Sequence, residues 1–306
     1  MHEEPPMKVV YASDENYIGL TAVSAVSLLK HNPDAEILLL GCNLPPAAVE
    51  VVRSRVLKNG GSFRALDASA AVNRLRELGA SSYVSYAVYA RIFIPSLIDG
   101  DDRVLYLDCD TLVAAPLDEL FATNLRGQPL ALAGDAVHPA YKRVISLPDD
   151  KPYYNTGVML IDLAAWRRCR CTERLIEELQ HPHGRNPLGD QDVIVRVLND
   201  EIVPLDRRWN FLSQYFFERR QDAPAIYHFS GHTLGRPWFT SSKHPLRRSY
   251  RAAAREADLQ SVAEQTRPMG LEYRLQYWLY RLLPGFLFRP VCRLMYRTHI
   301  RLTYGI

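Results

Sequence analysis

The feature that most constrains this chain is an apolar strand that runs directly into two acidic residues. Residues 104–107 read Val-Leu-Tyr-Leu, and Asp108 and Asp110 follow at once. Two carboxylates at the end of an interior strand cost free energy unless a cation neutralises them. Oxygen ligands suit Mn²⁺ or Mg²⁺. The pattern therefore predicts a divalent metal site, although the same acid triplet is also common in surface turns.

The first part of the chain alternates strand-like and helix-like segments. Near-continuous apolar runs mark the strands, and apolar residues at helical spacing mark the helices. This order predicts a doubly wound α/β fold, in which ligands bind at the carboxyl ends of the strands. Asp14 and the pair Asp108 and Asp110 follow such strands. We expect the strands at 8–12, 35–40 and 62–66, and the helices at 19–31 and 46–57.

The later segments extend this pattern without a dinucleotide motif. No Gly-x-Gly-x-x-Gly follows the first strand, which argues against a dinucleotide cofactor. We expect a helix over 82–94, strands at 129–133 and 158–163, and an amphipathic helix over 193–198.

Composition excludes several classes of protein. A net charge of +3 over 306 residues offers no basic platform for nucleic acid. The five cysteines lack zinc-site spacing, so reduced thiols are the simplest interpretation. The amino-terminal segment has no apolar core of the signal-peptide kind, and no apolar run approaches the roughly 20 residues that cross a bilayer. We therefore expect a cytoplasmic protein.

Seven short segments form an ordered series along the chain. They are 11–17 (YASDENY), 89–91 (YAR), 104–110 (VLYLDCD), 154–158 (YNTGV), 189–192 (GDQD), 208–211 (RWNF), and 228–231 (HFSG) with 236–238 (RPW). In this order and spacing they resemble retaining glycosyltransferase family 8, which includes a bacterial lipooligosaccharide α-1,4-galactosyltransferase and the glycogenins. The resemblance implies a GT-A fold, a Rossmann-like nucleotide-sugar-binding domain with a mixed, mainly parallel central sheet.

The resemblance implies a metal site built from Asp108, Asp110 and His228. Mn²⁺ is the expected cofactor and Mg²⁺ the alternative, because an imidazole ligand suits Mn²⁺ whereas Mg²⁺ prefers oxygen and water. His232 is a rival ligand four residues further on. A satisfied core histidine is the plainer interpretation of His228 when it is taken alone.

The resemblance also implies a UDP-hexose donor. Two of the implied contacts have plainer interpretations: Asp14 fits a turn that caps the next helix, and Arg236 fits a solvated surface residue. The donor-binding residues that the resemblance implies are Ala12, Asp14, Asn16, Arg91, Asp108, Asn155, Gly231 and Arg236.

Asp135, Asp190 and Gln191 match positions that the family assigns to the donor hexose and to catalysis. A double displacement would need a nucleophile at Gln191, and an amide is a weak nucleophile. We therefore favour front-face transfer, in which a β-phosphate oxygen of the departing UDP takes the proton of the acceptor hydroxyl. Gln191 would stabilise the oxocarbenium-like state electrostatically. Asp192 has the alternative role of a helix cap.

The character of the chain changes near its carboxyl end. The last 35 residues carry six arginines against one acid, interleaved with aromatic residues. We expect a catalytic domain over 7–265 and a basic, helical tail over 266–306, with one helix ending near Pro284 and another over 290–301. Such helices bind anionic membrane surfaces. Packing on the main domain or on a second subunit is the alternative.

Together these features predict a metal-dependent retaining glycosyltransferase. It would move galactose or glucose from a UDP-sugar to a hydroxyl of a lipopolysaccharide, glycolipid or other glycan, at the inner face of the cytoplasmic membrane. One alternative is a glycogenin-like enzyme that glucosylates itself or another protein. Another is a non-catalytic module that binds membranes peripherally. The oligomeric state is left open.

Overall fold

The structure is a computed structural model of the whole chain. It describes residues 6–77, 85–100, 103–135, 137–218, 223–230, 236–266 and 271–305. Gly231 and His232, for which the sequence predicts a phosphate contact and a rival metal ligand, lie outside the described residues.

The described residues form ten strands and twelve α-helices, with short 3-10 helices between them. The strands are β1 Lys8–Ser13, β2 Glu36–Gly41, β3 Ser62–Asp67, β4 Arg103–Leu107, β5 Thr111–Val113, β6 Leu130–Gly134, β7 Tyr154–Asp162, β8 Ile202–Leu205, β9 Phe211–Leu212 and β10 Ile226–His228. The α-helices are α1 Ile18–Leu29, α2 Pro46–Lys58, α3 Ser69–Glu77, α4 Ile94–Leu97, α5 Asp118–Phe121, α6 Pro139–Val144, α7 Leu163–Arg168, α8 Cys171–Gln180, α9 Asp190–Leu198, α10 Arg247–Glu256, α11 Leu271–Leu282 and α12 Gly285–Tyr304.

A central sheet of seven strands organises the molecule, in the order β3-β2-β1-β4-β7-β6-β8. Only β7 runs against its neighbours β4 and β6, and the other pairings in this sheet are parallel. A smaller sheet in the order β5-β10-β9 stands beside it. The predicted mixed, mainly parallel α/β architecture is confirmed.

Alternate residues of the central strands feed two separate hydrophobic cores. Val10 and Tyr106 belong to the core on one face, whereas Val9 and Leu105 belong to the core on the other. Side chains alternate across a strand, so a strand covered by helices on both faces must be apolar throughout. Each fully buried Val or Leu contributes about 1.5–3 kcal/mol to stability. This explains why the strands read as continuous apolar runs.

Helix α1 is buried on nearly every side, and its few polar residues fix the chain that follows Asp110. The Ser24 hydroxyl lies 2.7 Å from the hydroxyl of Thr111. The Ser27 hydroxyl accepts a hydrogen bond of 3.0 Å from the backbone N–H of Val113. These buried bonds hold β5 against α1 and thereby fix the direction in which the acid pair leaves β4.

Two of the predicted helices differ in the structure. Within the segment 82–94, the described part is a 3-10 helix, Tyr86–Phe93, followed by the short helix α4. The described part of the predicted helix is therefore helical, mostly of the 3-10 kind. The Ser85 hydroxyl caps the 3-10 helix by accepting a hydrogen bond from the N–H of Ala87. In the tail, α12 begins at Gly285 and includes Pro290 within it, so its predicted start was late.

The tail helices have one face on the molecule and another in solvent. Ile300 of α12 is 1% exposed and packs, with Tyr304, against one of the two cores. Leu275, Trp278 and Leu282 of α11 are exposed at a spacing of one helix face. Among the described residues, no helix combines the length and the apolarity needed to span a bilayer.

Candidate active site

The two sheets meet where β4 ends, and this junction brings three metal-binding residue types together. Asp108 and Asp110 leave the carboxyl end of β4, and β5 then pairs with β10 so that His228 lies opposite Thr111. The N–H of Phe229 donates to the carbonyl of Asp110 at 2.9 Å. The pairing of β5 with β10 therefore places His228 next to Asp108 and Asp110, although it lies more than 100 residues later in the sequence.

The ligand atoms of Asp108, Asp110 and His228 all lie within 4.8 Å of one another. His228 Nε2 is 3.2 Å from Asp110 Oδ1 and 3.6 Å from Asp108 Oδ2. One nitrogen and two carboxylates are a donor set that can hold a divalent ion such as Mn²⁺, whose main preference is for carboxylate oxygen. These residues fit a divalent cation, and the identity of the metal is not fixed by them.

A chain of directed hydrogen bonds fixes the tautomer of His228. The N–H of Gly157 donates to Asn155 Oδ1 at 2.9 Å. The same oxygen accepts from Asn210 Nδ2 at 2.9 Å, so Asn210 Oδ1 faces His228 Nδ1, also at 2.9 Å. An amide oxygen only accepts, so Nδ1 carries a proton, and in the neutral ring Nε2 points its lone pair towards the acids. Bonding of the outer ring nitrogen is usual for metal-ligating histidines.

Asp108 presents one oxygen to the cluster and uses the other for support. Asp108 Oδ1 accepts from the Tyr106 hydroxyl at 2.8 Å and lies 3.1 Å from Arg91 Nη2. This leaves Oδ2, which faces His228. The arrangement orients the carboxylate before any cation is bound, which lowers the cost of ordering it.

The cluster attracts positive charge. Burial alone would raise the pKa of Asp110, but the charge and hydrogen bond of His228, with Arg236 beyond, lower that pKa to about 2. Burial alone would lower the pKa of His228, and the carboxylates of Asp110 and Asp108 outweigh it and raise that pKa. A proton on His228 or a divalent cation can supply the charge that the two acids require.

Gly157 allows β7 to pass directly beneath the cluster. A Cβ at this position would lie 2.0 Å from His228 Cε1 and 2.8 Å from Asp108 Oδ2. No side chain fits at those distances, so only glycine permits this approach of backbone to ligands.

Arg91 lies beneath the site rather than at its surface. The residue is 3% exposed, and its guanidinium bridges Asp108 at 3.1 Å and Asp190 at 2.8 Å while lying over the ring of Tyr106. Burial raises the pKa of Asp190 to about 7, against the charge of Arg91, which acts to lower it. Arg91 therefore joins the acid pair of β4 to the start of α9.

The predicted hexose residues Asp135 and Asn155 contact each other at the end of β6. Asn155 Nδ2 donates to Asp135 Oδ2 at 3.2 Å, and Gln214 Nε2 donates to Asp135 Oδ1 at 2.8 Å. Asn155 thus connects Asp135, a predicted hexose contact, to the hydrogen bonds that run through Asn210 to His228.

Gln191 and Asp190 stand in the first turn of α9, whose amino-terminal cap is Gly189. Asp192 is therefore not the cap that the sequence suggested. It lies in the first turn, and its carboxylate accepts from the N–H of Leu188 at 2.7 Å. Part of the Gln191 side chain remains accessible.

The predicted nucleotide contacts follow β1. Asp14 Oδ1 accepts from the N–H groups of Asn16 and Tyr17, so Asp14 forms a turn before α1, and its other oxygen accepts from the Ser85 hydroxyl at 2.5 Å. Asn16 is exposed, and the carbonyl of Ala12 accepts from the Cys109 thiol.

Arg236 is not a solvated surface residue. Its side chain is 16% exposed, and Nη1 lies 3.6 Å from Asp110 Oδ2. The guanidinium also lies 5.2 Å from the ring centre of Trp238. The positive guanidinium of Arg236 therefore lies close to the carboxylate of Asp110.

Sequence reasoning gave no role to Asn210, Thr156 or Gly157. All three are buried or tightly packed in the site, and each lies in a segment that the resemblance had already matched. The available signals were a glycine inside an apolar strand and an asparagine between two aromatic residues. Neither signal shows which ligand it supports.

Known proteins share sequence similarity with this chain. A family model described as Glycosyl transferase family 8 matches residues 8–241. General stress protein A of Bacillus subtilis (strain 168) is 27% identical over 271 residues, which are 82% of this chain and 93% of that protein. Glycosyltransferase GlyA of Streptococcus pneumoniae is 27% identical over 245 residues, and the match spans 33% of its length.

Two further relatives cover most of the chain. Lipopolysaccharide 1,2-glucosyltransferase of Escherichia coli (strain K12) is 24% identical over 299 residues, 89% of this chain and 84% of the relative. The crystal structure of the galactosyltransferase LgtC with donor and acceptor sugar analogues has a TM-score of 0.69 and 24% identity. That match covers 88% of this chain and 99% of the other, and it confirms the GT-A fold.

Proposed function

The chain belongs to glycosyltransferase family 8 and is a glycosyltransferase, and we propose that it moves a hexose from a UDP-sugar, with retention, to a lipopolysaccharide or related glycolipid. The observation that carries the proposal is the cluster of Asp108, Asp110 and His228, in which Asn210 fixes the tautomer of His228 by accepting from Nδ1. A relative described as a lipopolysaccharide glucosyltransferase supports the acceptor class. Galactose and glucose are both consistent with the donor site.

The cluster provides for the leaving diphosphate. Asp108, Asp110 and His228 would hold the cation, with Mn²⁺ preferred and Mg²⁺ the alternative. Such a cation supplies Lewis-acid stabilisation of the charge that develops on the leaving phosphate. Arg236, close to Asp110, brings a second positive charge to the same side. Asp14 and Asn16, at the carboxyl end of β1, would contact the uridine.

The remaining residues would position the hexose. Asp135, just after β6, contacts Asn155 of β7. Gln191 in the first turn of α9 bonds Thr156 of β7, and its neighbour Asp190 pairs with Arg91. Transfer breaks the bond between the anomeric carbon and the β-phosphate oxygen and forms a bond to the acceptor hydroxyl. An amide at Gln191 is a weak nucleophile, so we favour front-face transfer over a double displacement. In front-face transfer the hydroxyl proton goes to an oxygen of the departing UDP.

The tail supplies a surface for a membrane-held acceptor. Leu275, Trp278 and Leu282 form an exposed apolar face on α11, and Arg274 and Arg281 are exposed beside it. An apolar face flanked by arginines binds anionic interfaces. We assign this face to the inner surface of the cytoplasmic membrane.

The test of the proposed function is a panel of UDP- and GDP-sugars incubated with Mn²⁺ and the full chain. We expect one UDP-hexose to be hydrolysed or transferred, and D110N to lose at least 100-fold in rate because a metal ligand is gone. D118N, a change of the same kind on the exposed Asp118 of α5, is the control. Equal rates for wild type and D110N would overturn the proposal, as would turnover of none of the sugars.

A further inference from the structure

Gln191 is held at both ends of its amide by buried groups. Its Oε1 accepts from the backbone N–H of Thr156 at 3.2 Å and lies 3.4 Å from the Thr156 hydroxyl. Its Nε2 donates to the Tyr153 hydroxyl at 2.9 Å. The backbone N–H can only donate, so the atom facing it must be the oxygen, and the orientation of the amide follows from chemistry.

The bonds beyond Gln191 have fixed directions as well. Arg91 Nη1 donates to the Thr156 hydroxyl at 3.1 Å, which leaves that hydroxyl proton for Gln191 Oε1. On the other side, Tyr153 accepts from Gln191 and therefore gives its own proton to Asp192 Oδ1, at 2.6 Å. A hydrogen-bond chain thus runs in one direction from a guanidinium, through the amide of Gln191, to a carboxylate.

Asp192 is built to terminate this chain. Its carboxylate is 0% exposed and accepts from three donors: the N–H of Leu188 and the hydroxyls of Tyr141 and Tyr153. Burying a carboxylate is costly, and such a group is retained where it orients its partners. A neutral group at this position would no longer determine which way the Tyr153 proton points.

The chain leaves Gln191 with one free polar group. Both lone pairs of Oε1 face Thr156, and one N–H is given to Tyr153. The second N–H has no partner among the described residues. Building on the proposed function, we infer that Tyr153 is a positioning residue, which locks Gln191 so that it meets the donor sugar as an N–H donor. Its ligand is then an oxygen of the hexose or of the leaving phosphate. This arrangement differs from the predicted stabilisation of an oxocarbenium-like state by Gln191, because an N–H group presents partial positive charge to its ligand.

Tyr141 provides a matched control for the test. Tyr141 and Tyr153 donate to the same carboxylate and are both nearly buried, but only Tyr153 contacts Gln191. With the UDP-hexose found active, Y153F should lower kcat/KM at least tenfold, and Y141F should change it less than threefold. Equal losses in the two variants would mean that the hydroxyls serve only to solvate Asp192, and the inference would be wrong.

A second measurement tests the chain without relying on turnover. In protein labelled with ¹⁵N-glutamine, the side-chain amide of Gln191 is identified by its loss in Q191A. We expect Y153F to shift this resonance and to speed its hydrogen exchange, and Y141F to leave it in place. An unmoved resonance in Y153F contradicts the inference. If no sugar is turned over by the wild type, the proposed function fails while this readout still decides the positioning of Gln191.

Discussion

At the scale of the residue, the metal site depends on Asn210, an amide that is not itself one of the proposed metal ligands. Asn210 is 0% exposed and orients His228, and it is in turn oriented by Asn155. Partners of this kind raise the basicity of a ligating imidazole and hold its ring in place. The chemistry proposed for Asp108, Asp110 and His228 therefore rests on bonds made one layer further in.

Asn210→Ala tests this support. Without the amide oxygen, the imidazole is free to adopt its other tautomer, and we expect Mn²⁺ affinity to fall about 10- to 100-fold. Titration calorimetry of Mn²⁺ in the presence of UDP measures the change. N199A is the matched control, because Asn199 is also buried and, in the part of the chain that the structure describes, its amide donates to the backbone carbonyls of Pro152 and Val195. Similar losses of affinity in the two variants would contradict the role of Asn210.

At the scale of the element, α11 carries its own prediction. W278E places a charge in the centre of the exposed apolar face, and we expect binding to vesicles with 30% phosphatidylglycerol to fall about tenfold. T303E adds the same charge at an exposed polar position of α12 and should bind nearly as the wild type does. Vesicle flotation measures both. Equal binding by W278E and wild type would contradict the proposal that this face of α11 binds a membrane.

The elements also show how far sequence reasoning reaches. Local patterns predicted β1, β2 and β4, because a continuous apolar run is typical of a strand covered on both faces. Apolar residues at helical spacing predicted α1. The 3-10 helix Tyr86–Phe93 could not be predicted, because its apolar spacing also fits an α-helix. Distant parts of the chain bond this helix; the Thr172 hydroxyl, for example, donates to the carbonyl of Ile92 at 2.8 Å.

The candidate site divides in the same way. Asp108 and Asp110 could be found from their own strand, whereas His228 came only through the family resemblance. Asn155, Asn210 and His228 meet because β7, the segment before β9, and β10 converge, and no local pattern encodes that convergence. The requirement for Gly157 appears only in a distance to another strand.

At the scale of the whole molecule, one buried histidine ties stability to pH. Burial lowers the pKa of His244 to about 3. Its neutral ring accepts from the N–H of Leu246 and faces the Ser213 hydroxyl. The folded pKa lies below the unfolded value of about 6.5, so the contribution to stability is full above that pH and falls as the pH drops.

We expect this effect to reach about 1.4 kcal/mol per pH unit between pH 6 and pH 4. Urea unfolding at several pH values should show a flatter loss of stability on acidification in H244N than in the wild type. H181N, which changes an exposed histidine, should keep the slope of the wild type. A slope in H244N equal to that of the wild type would show that His244 does not set it.

The division of the molecule into a catalytic domain over 7–265 and a tail over 266–306 stays a prediction. Ile300 and Tyr304 of α12 pack against the core of the main body. Helix α12 and the main body are therefore packed together through these two side chains.

The most direct test of the account is a crystal of the full chain grown with Mn²⁺ and UDP, measured at the manganese absorption edge. We predict one strong anomalous peak between Asp108, Asp110 and His228 Nε2, at coordination distance from all three and next to the diphosphate. A diphosphate bound without a peak between these three side chains, or a peak ligated by other residues, would contradict the central claim.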